Sequence, residues 1–151
     1  MRAVIQRVMQ GAKVEVLGKT IGQIDKGLLV LLGIGTEDTD DDIRWLAKKI
    51  VGLRIFSDAE EKMNLSINDI GGSLLVISQF TLLASTKKGN RPSYIKSAKP
   101  EISKPLYRSF IDHMRKEHGL HVEEGIFGAD MKVQLVNDGP VTIIIDSKVK
   151  E

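Results

Sequence analysis

Between residues 3 and 34 the chain reads Ala3-Val4-Ile5-Gln6-Arg7-Val8, Ala12-Lys13-Val14-Glu15-Val16-Leu17, Thr20-Ile21-Gly22-Gln23-Ile24 and Leu28-Leu29-Val30-Leu31-Leu32-Gly33-Ile34. Four apolar-rich segments, punctuated by Gly11, Gly18 and Gly27, predict four short strands in an antiparallel meander. The run Leu28–Leu32 is apolar at every position, so both faces of that strand are expected to be covered. Working outward, Asp38-Thr39-Asp40-Asp41-Asp42 followed by Ile43, Leu46, Ala47, Ile50 and Val51 predicts an amphipathic helix with carboxylates at its positive end. Arg54-Ile55-Phe56 reads as a short strand, and a loop through Asn64, Asn68, Gly71 and Gly72 leads into a strand at Ser73–Ser78. Ile102, Leu106, Phe110, Ile111 and Met114 form one face of a second helix that Gly119 ends, with Pro105 expected near its first turn. Strands at Met131–Val136 and Val141–Ile145 close the chain, and Ser147–Glu151 reads as a frayed tail. The expectation is a single α+β domain over residues 1–151: a mainly antiparallel, barrel-like sheet with two helices.

Length and composition agree with one domain. The chain has 151 residues, 42% of them hydrophobic, which suffices for one core. Its net charge is only +2, but the distribution is uneven. Lys87, Lys88, Arg91, Lys96, Lys99, Lys104 and Arg108 share their stretch with one acid, Glu101, whereas Glu37–Asp42 is acidic throughout except for Thr39. One face should attract phosphate and another repel it, although a solvated loop and helix face would look the same. The absence of cysteine excludes disulfides, thiolate metal ligands and a cysteine nucleophile. With no basic-then-apolar leader and no apolar run of ~20 residues, the expectation is a soluble cytoplasmic protein without membrane contact.

Two short strings stand where strand patterns break: Ser78-Gln79-Phe80-Thr81-Leu82 and Asn137-Asp138-Gly139-Pro140-Val141-Thr142. The first holds two hydroxyls and an amide but no base to activate them, so Ser78 and Thr81 read equally as capping residues. A Ser-His-Asp triad is not indicated, because His113, His118 and His121 gather on and just beyond the second helix. Those histidines lack carboxylate or thiolate companions at ligand spacing, so no metal and no cofactor are expected. Gly33-Ile34-Gly35 resembles a dinucleotide loop, but Asp38 replaces the third glycine and acids crowd the helix start where phosphate would sit. Asp38, Asp40 and Asp42 imitate a calcium loop, yet Ile43 and Lys49 occupy the glycine and closing glutamate positions. Helix capping accounts for those acids better. Taken alone, Gly139-Pro140 is a turn.

Together with the opening Met1-Arg2-Ala3-Val4-Ile5-Gln6-Arg7-Val8 and with Gly89-Asn90-Arg91-Pro92-Ser93, these strings make the chain resemble the D-aminoacyl-tRNA deacylases of the D-tyrosyl-tRNA deacylase type, nearly end to end. The resemblance implies a homodimeric hydrolase of that fold. It would cleave the ester between a D-amino acid, or glycine mischarged on tRNA-Ala, and the 3′-terminal adenosine of tRNA, a proofreading reaction of translation. It makes Ser78, Gln79, Phe80 and Thr81 the catalytic segment, with backbone N–H groups near Phe80 and Thr81 as oxyanion donors. Either the Thr81 hydroxyl or the 2′-hydroxyl of the RNA would position the nucleophile. It implies that Gly139-Pro140 is a cis bond inserted into the partner's active site, flanked by Val141 and Thr142 and supported by Arg7, and that its carbonyls select chirality. Lys87, Lys88 and Arg91 become candidate tRNA contacts. On the residues alone, Arg7 could equally be a strand arginine facing solvent. The rival reading is a non-enzymatic nucleic-acid-binding module on the same basic stretch.

Overall fold

A computed structural model describes residues 1–150, which form eight strands, two α-helices and one 3₁₀ turn. Of the four expected N-terminal strands, the first two are one and the other two are separate. β1 (Arg2–Val16) is continuous, with β2 (Lys19–Ile24) and β3 (Gly27–Gly33) lying end to end along one of its edges. Gly11 takes φ +95° and donates its N–H to the Asp25 carbonyl at 2.8 Å, so the sequence break is a bulge and not a turn. Likewise the two expected C-terminal strands are one, β8 (Lys132–Asp146), which pairs antiparallel along the other edge of β1.

β6 (Ser73–Ser78) adds to β3 in parallel, and β7 (Val122–Glu124), which has no clear pattern in the sequence, adds to β6 in parallel. β2 then returns against β7 so closely that a Cβ on Gly22 would sit 2.8 Å from the Glu124 carbonyl oxygen; the sheet is a nearly closed barrel. β4 (Phe56–Ser57) and β5 (Met63–Leu65) form a small separate ribbon.

The period-2 geometry of strands sorts the apolar run as expected. Leu28, Val30, Leu32, Leu74 and Val76 face the helices, while Leu29, Leu75 and Ile77 pack with Val8, Val14 and Ile24 on the other side. Each such fully buried side chain contributes roughly 1.5–3 kcal/mol relative to exposure. Helix α1 (Asp40–Val51) buries Ile43, Leu46, Ala47 and Ile50 in the first cluster. Helix α2 (Pro100–His118) joins it through Tyr107, Phe110, Ile111 and Met114, and Gly119 ends it at φ +63°.

Three expectations need correction here. The buried face of α2 starts at Ser103, and Ile102 is exposed, because the helix begins at Pro100. Pro105 accordingly lies in the second turn rather than the first. The C-terminal segment is packed: Ser147 is buried, its N–H donates to the Met1 carbonyl at 2.8 Å, and Lys150 lies 5.0 Å from the Trp45 ring centroid. Glu151 lies outside the described residues.

Candidate active site

The first string begins where the parallel ladder runs out. Gln79 donates its N–H to the Leu32 carbonyl at 2.8 Å, and the chain then tightens into the 3₁₀ turn Phe80–Leu83. The opening N–H groups of such a turn have no acceptor within it. Among the described residues neither the Phe80 nor the Thr81 N–H finds one elsewhere. The turn is closed by the Leu82 N–H on the Gln79 carbonyl at 3.2 Å and the Ala84 N–H on the Thr81 carbonyl at 3.1 Å. It is fastened from outside by the Ser97 hydroxyl on the Phe80 carbonyl at 2.9 Å. Tyr94 packs edge-on against the Phe80 ring, centroids 4.9 Å apart, and leaves Phe80 56% exposed. An apolar cleft of about 490 Å³, lined among others by Leu32, Ile77, Phe127 and Met131, borders Ser78, Gln79 and Phe80.

The Thr81 hydroxyl oxygen meets the Gln79 side-chain amide at 2.5 Å. An amide cannot serve as a proton acceptor strong enough to generate an alkoxide, whichever way it is turned, so this contact orients the hydroxyl without activating it. No histidine replaces the missing base. His113 and His118 meet edge-to-face at the end of α2, 5.4 Å between centroids, and His121 contacts Glu123 at 2.8 Å. Burial, and then the neighbouring His113, lower the His118 pKa.

The second string is an excursion of β8. Pairing with β1 passes from Thr142 opposite Gln6 to Asn137 opposite Val8, and residues 138–141 leave the ladder. Asn137 braces the excursion from both sides: its Nδ2 donates to Thr142 Oγ1 at 2.8 Å and its Oδ1 accepts the Val141 N–H at 3.1 Å. Gln6 Nε2 reaches the same Thr142 oxygen at 3.4 Å. The Gly139-Pro140 bond is cis, and both residues are exposed. Gly139 takes φ +120°, and a Cβ there would sit 2.8 Å from Val141 Cγ2 and 3.1 Å from Arg7 Nη2, so both conformation and space demand glycine.

Arg7 does not face solvent. It is 9% exposed, and its guanidinium spans two elements: Nη1 donates to the Ile55 carbonyl at 2.6 Å, Nε to the Asp138 carbonyl at 3.2 Å, and Nη2 lies 2.9 Å from the Asp138 carboxylate. A planar fork of donors suits this three-way bridge, which a lysine could not make. Ile55 and Asp138 as its partners carried no signal of their own in the sequence.

Lys87, Lys88 and Arg91 are exposed on the loop between the 3₁₀ turn and α2, the same loop that brings Tyr94 and Ser97 to Phe80. The acids near α1 belong elsewhere. Asp38 accepts the Met1 ammonium at 2.5 Å, and Asp42 accepts the Thr39 N–H at 2.8 Å, the Ser147 hydroxyl at 2.6 Å and Lys148 Nζ at 2.8 Å. Burial works against the Asp42 charge, but hydrogen bonds from Lys148, Ser147 and Thr39 outweigh it and hold the carboxyl well below the usual range. Capping thus explains Asp42, whereas Asp38 is an ion-pair partner.

Within one chain the two strings do not converge. The 3₁₀ turn is tied to β1 at Arg2, whereas the excursion begins opposite Gln6, four residues or ~13 Å further along the strand. β8 has a strand partner on one edge only among the described residues, and its outward side chains include Val136 and Ile144, the latter 68% exposed.

Residues 4–146 match the family model described as D-Tyr-tRNA(Tyr) deacylase. The chain is 61% identical over 151 residues to a D-aminoacyl-tRNA deacylase of Flavobacterium psychrophilum, covering 100% of both chains. It is 60% identical over 148 residues to one of Thermosipho africanus, covering 98% of each. A solved structure described as a c-Myc DNA unwinding element binding protein superposes with a TM-score of 0.90 at 40% identity, over 97% of this chain and 98% of that one. A probable eukaryotic D-amino acid tRNA deacylase superposes with a TM-score of 0.79 over 95% of this chain and 98% of that one; at 17% identity it bears on the fold alone.

Proposed function

The chain belongs to the D-Tyr-tRNA(Tyr) deacylase family, and from that premise we propose that it is a hydrolase that frees tRNA from D-amino acids, and from glycine mischarged on tRNA-Ala, by cleaving the ester to the 3′-terminal adenosine. The observation that carries the chemistry is the pair of unpartnered N–H groups at Phe80 and Thr81. As water attacks the ester carbonyl, its oxygen gains negative charge, and two preorganised N–H donors beside an apolar cleft stabilise that charge more than they stabilise the ground state. The attacking water gives up a proton, and the tetrahedral intermediate collapses by breaking the bond to the ribose oxygen, which takes up that proton and leaves as a hydroxyl. Because the Thr81 hydroxyl has an amide neighbour and no base, it or the RNA 2′-hydroxyl positions the water and neither forms a covalent intermediate.

Chiral selection is assigned to Gly139-Pro140 of a second copy. Within one chain that segment sits away from the Phe80–Leu83 turn, it is exposed, and the strand bearing it presents apolar side chains and an unpaired edge, all of which favour a homodimer with its site at the interface. The backbone carbonyls of a segment that Arg7 fastens at Asp138 and Asn137 braces at Val141 and Thr142 would clash with an L-side chain and leave D-side chains pointing outwards, giving strict stereochemistry with broad side-chain tolerance. Lys87, Lys88 and Arg91 would hold the tRNA backbone, and the cytoplasm, where aminoacyl-tRNA is made, is the expected compartment.

The deciding experiment compares release of amino acid from D- and L-aminoacyl-tRNA at catalytic protein concentrations. Turnover of the D-form with the L-form left intact is expected, and equal rates on both would sink the chiral reading. The relative described as a DNA unwinding element binding protein keeps the rival alive. A pure binder would show salt-dependent affinity for nucleic acid and no turnover.

A further inference from the structure

One charged side chain reaches the 3₁₀ turn from a distant part of the chain. Arg2 opens β1, opposite Asp146 at the end of β8. Its Nε and Nη2 both lie 2.9 Å from Asp146 Oδ2, and its Nη1 donates to the Leu82 carbonyl at 2.8 Å. Asp146 is itself held by the Lys148 N–H on Oδ1 at 2.9 Å, so the carboxylate presents a fixed oxygen to the guanidinium. We propose that Arg2 is a positioning residue for the deacylation: clamped on Asp146, its guanidinium fixes the Leu82 carbonyl and with it the turn that aims the Phe80 and Thr81 N–H groups.

Geometry makes the case. The turn has only four residues and two internal closing bonds, at Leu82 and Ala84, which is too little to hold itself in one orientation. Its outer carbonyls are therefore the handles that matter. Ser97 takes that of Phe80, from a loop, whereas Arg2 takes that of Leu82 and ties it to the barrel frame. Because an oxyanion donor is useful only within a few tenths of an ångström of its target, a loosened turn lowers the rate of the chemical step more than it weakens substrate binding. Lysine at residue 2 would keep a charge near Asp146 but could not reach both acceptors in the plane that the fork provides. No contact between Arg2 and the substrate is required.

This inference rests on the deacylase reading, and its test separates the two. Arg2→Lys and Arg2→Met would be assayed with D-aminoacyl-tRNA beside the unaltered protein, and amide hydrogen exchange would be followed over residues 79–84 and over β3. Both variants should lose about tenfold in kcat with KM within twofold, the loss expected for one charge-assisted hydrogen bond. Exchange of the hydrogen-bonded turn amides, Leu82 and Ala84, should quicken while that of β3 stays unchanged, a pattern that a general loss of stability would not give. A kcat within twofold of the parent in both variants, or unaltered exchange at the turn, would overturn the assignment. If the unaltered protein hydrolysed no D-aminoacyl-tRNA, the deacylase reading would fail, and the exchange experiment would still decide whether Arg2 holds the turn.

Discussion

Replacing Arg7 by Met tests whether the Gly139-Pro140 excursion is held by a single buried guanidinium. Met fills much of the same volume and removes all three polar contacts. The Ile55 carbonyl, buried and accepting at 2.6 Å, loses its donor where water has little access. That costs roughly 1–3 kcal/mol. The Asp138 carboxylate is 34% exposed and can rehydrate, so its lost ion pair adds well under the buried-pair value. Burying a thioether chain instead of a charge returns some of the deficit. The net is about 2 kcal/mol, which for a chain of this size lowers Tm by roughly 4–8 °C and the urea midpoint by about 1 M. Protein concentration must be matched, since the stability of the proposed dimer would depend on it. Function should suffer more than folding: with Asp138 released, the 138–141 segment loses its attachment to β1, and discrimination between D- and L-aminoacyl-tRNA should narrow. An Arg7→Met protein that melts within 1 °C of the parent and discriminates unchanged would refute the anchoring role. Arg7→Lys should fall between the two, because an ammonium can serve Ile55 or Asp138 but not both.

Thr81→Ala should retain turnover within about tenfold of the parent, since the backbone N–H survives truncation; a folded variant with no detectable release of amino acid would favour a side-chain nucleophile. Neutralising Lys87, Lys88 and Arg91 together should weaken tRNA binding and reduce the slope of log affinity against log salt by about 2, and an unchanged slope would place the RNA contact elsewhere. Asp42 has its pKa depressed in the fold, so its contribution is fully present above the ordinary carboxylate value near 4 and is lost as pH falls through the lower folded value. Melting followed from pH 6 to pH 2 should show that decline, Asp42→Asn should flatten it, and parallel curves for both proteins would count against the network.

How much was legible beforehand follows the range of each interaction. The apolar run Leu28–Leu32 announced a strand covered on both faces, and the spacing of Ile43, Leu46, Ala47 and Ile50 announced α1, because alternation and helical period are properties of neighbouring residues. Breaks in the apolar pattern are a poorer guide. Gly11 looks like a turn in the sequence and is a bulge in the fold, because β8 runs past it and keeps the two halves of β1 in one ladder. Pro140 similarly split one strand into two expected strands, although pairing resumes on both sides of the excursion. β7 has three residues, too few to show a period, and exists because β6 offers it an edge.

The α+β character, the two helices, the strand-end placement of Ser78–Thr81 and a Gly-Pro segment between apolar stretches are all legible in local stretches of the chain. Which groups surround the candidate site depends instead on contacts between residues far apart in the chain. Arg7 meets Asp138 across 131 residues, and Arg2 meets Asp146 across 144, so nothing local marks either arginine as buried or fastened. Likewise Ser147 looked like the start of a loose tail until the fold placed Met1, Asp42 and Lys148 around the end of β8. The physical reason is that backbone propensity is settled within a few residues, whereas a buried charge takes whichever acceptors the topology brings to it. Those acceptors, the carbonyls of Ile55, Leu82 and Asp138, are main-chain atoms that every residue carries, and only folding singles them out.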